Sequence, residues 1–254
     1  VLLVGLGCEV NQTDLLLENQ HLQGTETLRT LSIQEAGGTE AAVERGAGMV
    51  REMLQDVNRV QRQSVSASHL VIGLECGGSD AYSGITANPA LGAAADRVVR
   101  CGGTVILSET PEIYGAEHLL VHRAARPDVA GRLVDLIRWW EAYTALHGAG
   151  IDNNPTPGNK AGGLTTILEK SLGAVAKAGT SPLREVYGYA EAVREKGLVF
   201  MDTPGFDLPS ITGMTAGGAN LICFTTGCGS VVGGKPAPVL KLGSNSEMAR
   251  RMPG

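Results

Sequence analysis

A short apolar segment at residues 69–74 runs directly into Glu75-Cys76-Gly77-Gly78-Ser79-Asp80-Ala81-Tyr82-Ser83-Gly84, closed by Asn88-Pro89. The apolar segment reads as a buried strand, and the Ala-rich residues 90–100 after the loop read as a helix. Strand, glycine-rich polar loop and helix in that order constrain the fold strongly. They set free backbone N–H groups at the C-terminal end of a strand, the edge where open α/β sheets bind ligands. A thiol, a hydroxyl and a carboxylate share the loop. Packing alone does not ask for Cys, Gly, Gly, Ser and Asp in succession, so the loop reads as a site.

The pattern recurs along the chain. Residues 1–6, 29–33, 104–107, 198–201, 221–225 and 239–242 read as strands. Residues 11–19, 40–54, 127–146, 164–177 and 183–195 read as helices, and 55–68 as a polar connector. Apolar strands alternating with helices predict an α/β protein with mostly parallel, Rossmann-like sheets. Two lobes are expected, residues 1–150 and 151–254. Further polar loops follow the strands. One carries Glu109, Glu112, Glu117 and His118; another, bounded by prolines and glycines, carries Asn154, Asn159 and Lys160; a third carries Thr226, Gly227 and Cys228. Several such loops on one sheet edge predict a composite site for a small polar molecule.

Composition narrows the function. The 254 residues include 35 glycines but only 4% aromatic residues, which argues against a base-stacking platform for single-stranded nucleic acid. A net charge of -5 argues against a broad nucleic-acid surface. No apolar run is long enough to span a membrane and no signal peptide is present, so no membrane or nucleic-acid partner is expected. Five cysteines at long spacings fit reduced thiols in the cytoplasm better than a disulfide framework. Neither a phosphate-binding Gly-x-x-x-x-Gly-Lys-Ser/Thr loop nor a Gly-x-Gly-x-x-Gly turn occurs. The chain starts inside an apolar strand without Met and reads as a fragment of a longer one.

These motifs resemble the altronate/galactarate dehydratase family, which also includes the large subunit of sulfolactate sulfo-lyase. The matching stretches are Gly5-Leu6-Gly7-Cys8-Glu9, Cys76-Gly77-Gly78-Ser79-Asp80, Glu109-Thr110-Pro111-Glu112 and Gly115-Ala116-Glu117-His118. They continue with Asn153-Asn154-Pro155, Pro157-Gly158-Asn159-Lys160, Glu169-Lys170-Ser171-Leu172-Gly173-Ala174, Met201-Asp202-Thr203-Pro204-Gly205 and Phe224-Thr225-Thr226-Gly227. The likeness covers essentially the whole chain. It departs at Cys228, where the family pattern carries Arg.

The resemblance implies a hydro-lyase that removes water from a sugar acid to give a 2-keto-3-deoxy acid, assisted by Fe2+ or Mn2+. It also implies a small N-terminal domain or separate small subunit, and a homo-oligomer. Alternatives are a sulfo-lyase using the same α-proton chemistry, and a non-catalytic module that binds a small anion. Proton removal α to a carboxylate needs a base and an electrophile for the developing enediolate. Catalytic candidates are Cys76, His118 and Lys160. Cys8, Glu9, Glu109, Glu112 and Glu117 are candidate metal ligands, and Gly77, Gly78, Ser79, Asp80, Ser83, Asn88, Asn154, Asn159, Thr226 and Gly227 are candidate substrate contacts. Each has a bland alternative: a small buried thiol at Cys76, helix capping at Ser79 and Asp80, an exposed loop amine at Lys160. Glu169 and Lys170 read as a solvated helix face.

Overall fold

A computed structural model describes residues 1–252, and the chain divides into two compact units, Val1–Ser64 and Val65–Gly254. In the first, β1 (Leu2–Gly5), α1 (Thr13–Asn19), β2 (Arg29–Ser32) and α2 (Thr39–Val57) follow one another. The strands β1 and β2 pair in parallel, Leu2 opposite Arg29 and Gly5 opposite Ser32.

The second unit is built on a six-stranded sheet. Its elements are β3 (Val71–Cys76), α3 (Ala87–Arg100), β4 (Thr104–Leu107), α4 (His118–Val121), α5 (Pro127–Leu146), α6 (Pro157–Ala161) and α7 (Ile167–Ala176). They continue with β5 (Leu183–Tyr187), β6 (Gly197–Met201), α8 (Asp207–Ala216), β7 (Leu221–Thr226), β8 (Val239–Gly243) and α9 (Ser246–Arg251). The strand order is β5-β6-β4-β3-β7-β8, and every pairing is parallel. Helices cover both faces, so the central strands are apolar almost throughout; β4 and β6 have no exposed residue. Alternate residues serve opposite cores. Val105, Leu107, Leu198 and Phe200 pack with α3 and α5, whereas Ile106, Val199, Met201 and Phe224 pack with α8.

Two expectations change. The chain divides near residue 64, inside the polar connector, rather than near 150. Strands from both sides of residue 150 share one sheet, with β6 hydrogen-bonded to β4, so a cut there would open a buried ladder. Residues 183–195 do not form a helix. Leu183, Val186 and Tyr187 are buried along the edge strand β5 while Arg184 is exposed, and Gly188 ends it. The Tyr187 hydroxyl then accepts the amides of Arg194 and Glu195, which folds the segment back. Among the described residues no helix is long and apolar enough to cross a membrane.

Two features of this unit position the site. The chain leaves β3 toward β4 on one side, while β7 later pairs on its other side, so β3 lies at a topological switch point. Small residues also let α7 come close to α3. A Cβ on Gly92 would stand 2.2 Å from the Ala176 carbonyl oxygen, and one on Gly173 would stand 3.2 Å from the Gly84 Cα. That approach carries two lysines of the α7 segment under the end of β3.

Candidate active site

Cys76 is the last residue of β3 and is 2% exposed. Glu109 and Glu112 come from the turn after β4, at 1% and 4% exposure. Lys170 and Lys177, seven residues apart on one face of α7 and its C-cap, are at 4% and 0%. Lys177 Nζ donates to Cys76 Sγ at 2.9 Å and to Glu109 Oε2 at 2.8 Å. Lys170 Nζ donates to Cys76 Sγ at 3.2 Å and forms an ion pair with Glu112. The thiol lies 3.3 Å from Glu112 Oε2, which it reaches as donor, and Asn154 Nδ2 donates to Glu112 Oε1 at 2.7 Å. Glu109 is set by its backbone. Its φ of 66° lies in the left-handed region, costly for a residue with a Cβ, and its amide donates to Thr203 Oγ1 at 2.9 Å.

Glu75, the residue before Cys76, is wholly buried and points to the other side of β3, where Ser210 Oγ donates to its Oε2 at 2.7 Å. Burial, then repulsion from Glu109, pushes its carboxyl well up and favours the protonated form. Burial and the Glu109 charge push the Cys76 thiol up to about 11. Burial opposes ionisation of Glu109, but Lys177 and Lys170 outweigh it and hold the carboxyl below its ordinary value. Burial likewise disfavours both ammonium groups, and the Cys76 sulfur with the carboxylates reverses that, so both lysines stay charged. The cluster therefore holds two ammonium groups against two carboxylates, a charge balance that a buried network requires.

Cys76, Glu109 and Glu112 offer ligand atoms within 4.8 Å of one another, a spacing that could hold a metal ion. Thiolate and carboxylate also suit Fe2+ or Mn2+ in donor type. Charge does not suit one. Cys76 Sγ, Glu109 Oε2 and Glu112 Oε2 are the same atoms that the two ammonium groups occupy. A divalent ion there would add two positive charges beside two buried cations. With both lysines in place the trio does not fit a resident divalent ion.

Beside the cluster lies a cavity of about 380 Å³. Ser79, Ser83, Asn88, Leu168 and Leu172 line it, and Lys170 forms part of its wall. Ser79 Oγ and Asn88 Oδ1 are buried there without a hydrogen-bond partner. A second cavity of about 690 Å³, lined by Asn154 and Lys160, shares Thr166 with the first.

The structure brings together Cys76, Glu109, Glu112 and Asn154 of the expected residues. Gly77 follows Cys76 at the cluster, and Gly78 turns the loop at a φ of 61°. Asp80 instead makes a closed network with Ser83, Ser244 and Asn245. Asn159 holds the loop through Ser79 O at 2.9 Å and caps α6 with Thr156. Thr226 accepts the Gly229 amide, and Gly227 packs flush against the Asp80 carboxyl. His118 is exposed at the start of α4 and edge-on to His122, outside the cluster, as is Glu117. Lys160 is exposed on α6. Cys8 and Glu9 belong to the first unit, where Gln34 donates to the Cys8 sulfur and the Glu9 carboxylate accepts the amides of Leu6 and Gly7. Cys228 is exposed, its amide donating to Gly78 O at 2.9 Å.

Sequence reasoning misses Glu75, Lys170 and Lys177. A signal exists for all three: Glu75 interrupts a buried strand, and the lysines share a helix face with Ala174 and Ala178, where an exposed lysine would not lie.

Comparison with known proteins agrees with this arrangement. Residues 1–58 match the profile described as D-galactarate dehydratase/Altronate hydrolase, second domain, and residues 67–254 match D-galactarate/Altronate dehydratase, C-terminal. The chain is 39% identical to an altronate dehydratase of Bacillus subtilis, over 100% of its own length and 50% of that protein's. It is 38% identical to a galactarate dehydratase (L-threo-forming) of Escherichia coli, over 99% of its own length and 49% of the relative's. A (2R)-sulfolactate sulfo-lyase subunit beta of Chromohalobacter salexigens is 35% identical over 86% of the chain and 57% of that subunit. The chain thus spans about half the length of the curated relatives it matches. With both profiles matched in order and the Cys76 loop and its lysines in the longer match, the chain belongs to the galactarate/altronate dehydratase family.

Proposed function

We propose that this chain forms the proton-transfer part of a sugar-acid dehydratase, acting on altronate, galactarate or a related acid to give a 2-keto-3-deoxy acid. The observation that carries the reading is the buried Lys170–Cys76–Lys177 arrangement, braced by Glu109 and Glu112, with Lys170 opening on a cavity at the switch point of the sheet. Its charge pattern suits the reaction. Lys170, held as an ammonium ion, faces the substrate carboxylate and stabilises the enediolate that forms as the α-proton leaves. Glu112, bridged to Lys170, Cys76 and Asn154, receives that proton. Lys177 and Glu109 pin the thiol from below, so the cluster does not reorganise during the transfer. Ser79 Oγ supplies an open hydroxyl to the sugar, and Lys160 beside Asn154 suits a second carboxylate at the far end.

A sulfo-lyase is the second reading, favoured by the relative of that name. It shares the α-proton step and differs in expelling sulfite. The free thiols fit a reducing cytoplasm. An additional N-terminal domain or small subunit and a homo-oligomeric assembly complete the proposal. The test is the full-length protein assayed with altronate, galactarate and sulfolactate for keto acid and sulfite. Keto acid lost in Lys170→Met supports the dehydratase; sulfite alone moves the chain to the second reading; silence on all three rejects both.

A further inference from the structure

Dehydration moves two protons, and the buried cluster provides for one. The leaving β-hydroxyl needs an acid, yet the ammonium protons of Lys170 and Lys177 are committed to Cys76, Glu109 and Glu112. Asp207, the first residue of α8, stands beside the cluster and is only partly buried. Among the described residues its carboxyl has no ion-pair partner and accepts no hydrogen bond.

Its position is fixed by a glycine. Both Asp207 carboxyl oxygens lie 2.7 Å from where a Cβ on Gly77 would stand, so the group rests on the bare backbone one residue past Cys76. Phe224 Cζ closes the same spot at 2.7 Å, and Lys241 Nζ sits 4.5 Å from the centroid of that ring. The chain that leads into α8 also wraps the cluster: a Cβ on Gly205 would touch Glu112 Cγ at 3.0 Å. Asp207 is thus an unengaged, partly buried carboxyl against the Gly77 backbone, held by packing alone.

We infer that Asp207 is a catalytic acid for the dehydration proposed above, giving its proton to the departing β-hydroxyl of the sugar acid. Glu112 takes the C2 proton, leaving the C2–H electron pair in the enediolate; that pair then forms the C2=C3 bond as the C3–O bond breaks with its own pair and Asp207 protonates the departing oxygen. Water leaves, the enol tautomerises to the 2-keto-3-deoxy acid, and the half-exposed Asp207 regains a proton from solvent. Burial, with the Glu109 and Glu112 charges, pushes its carboxyl up and favours the proton-bearing form.

The assignment rests on the dehydratase reading, and one experiment separates the two. Full-length wild type, Asp207→Asn and Asp207→Glu are incubated with altronate and with galactarate in D2O, following keto acid and deuterium at C2 of recovered substrate. The Asn variant is expected to lose about 100-fold or more in keto-acid formation. It should still place deuterium at C2, because the base remains, and the Glu variant should recover part of the product. Wild-type turnover in Asp207→Asn, or parallel loss of exchange and product, overturns the assignment and leaves the dehydratase standing. No exchange and no product from the wild type overturns the dehydratase reading, and the Asp207 assignment falls with it.

Discussion

Two buried polar networks grow from the same short loop, four residues apart, and they are built on opposite plans. Around Asp80 every donor is neutral. Its Oδ1 accepts the Ser83 amide at 2.9 Å, the Ser83 hydroxyl at 2.9 Å and the Ser244 hydroxyl at 2.7 Å, and its Oδ2 accepts Asn245 Nδ2 at 2.9 Å. The loop is thereby tied to the N-cap of α9, and neither oxygen is left open. Around Cys76 the partners are charged, a left-handed Glu109 is held in place, and buried oxygens of Glu75 and Glu109 stay without a partner atom. A fully satisfied carboxylate among neutral donors serves architecture. A charged, incompletely satisfied network of the same size keeps energy in reserve for a ligand or a proton.

Breaking the two networks should therefore have different consequences. The largest effect on stability is expected from Lys177→Met, which leaves Glu109 buried without its cation and costs about 3–5 kcal/mol. Denaturant unfolding measures it. Asp80→Asn should cost less, about 1–3 kcal/mol, since an amide nitrogen replaces one acceptor in a set of hydrogen bonds. Its turnover per folded molecule should remain close to wild type, which distinguishes architecture from chemistry. Lys170→Met removes one of the ammonium groups that occupy the thiol and carboxylate atoms; the variant should bind Mn2+ more tightly than wild type in calorimetry.

A smaller, pH-dependent effect is expected at Asp96, which anchors the segment after α7. Burial opposes its charge, but hydrogen bonds from Ser181 and Thr180 outweigh that and hold its carboxyl below the ordinary value. Its contribution is present above the ordinary Asp value of about 4 and fades as pH falls through the lowered folded value. Asp96→Asn should be less stable than wild type at neutral pH, and unfolding curves taken at progressively lower pH should converge. Least affected should be Cys228→Arg, at an exposed position, with a stability change within about 0.5 kcal/mol.

Much of this was legible in the chain because the chemistry lies at strand ends. Cys76 ends an apolar run just before Gly77-Gly78, and Glu109 and Glu112 flank Thr110-Pro111 just after the apolar run 104–107, a context that marks a ligand edge without any helix geometry. Lys170 and Lys177 were harder to read because a helix lysine is normally solvated, and only the spacing of seven on the Ala174–Ala178 face distinguishes them. Glu75 gave a weak signal, one carboxyl in a buried strand. The division near residue 64 falls inside the polar connector, yet the Pro- and Gly-rich loop near 150 is the stronger break in sequence. In the structure that loop crosses the site and brings Asn154 to Glu112. Side chains that converge from β3, α7 and the turn after β4 have no common sequence window, so their meeting required the fold.

The most direct test is keto-acid formation from altronate and galactarate by the full-length protein, comparing Lys170→Met with Asp80→Asn at equal concentrations of folded molecules. The account predicts a loss of about 100-fold or more in kcat for Lys170→Met, with Asp80→Asn near wild type. Retained turnover in Lys170→Met, or an equal fall in Asp80→Asn, would contradict the division between the two networks.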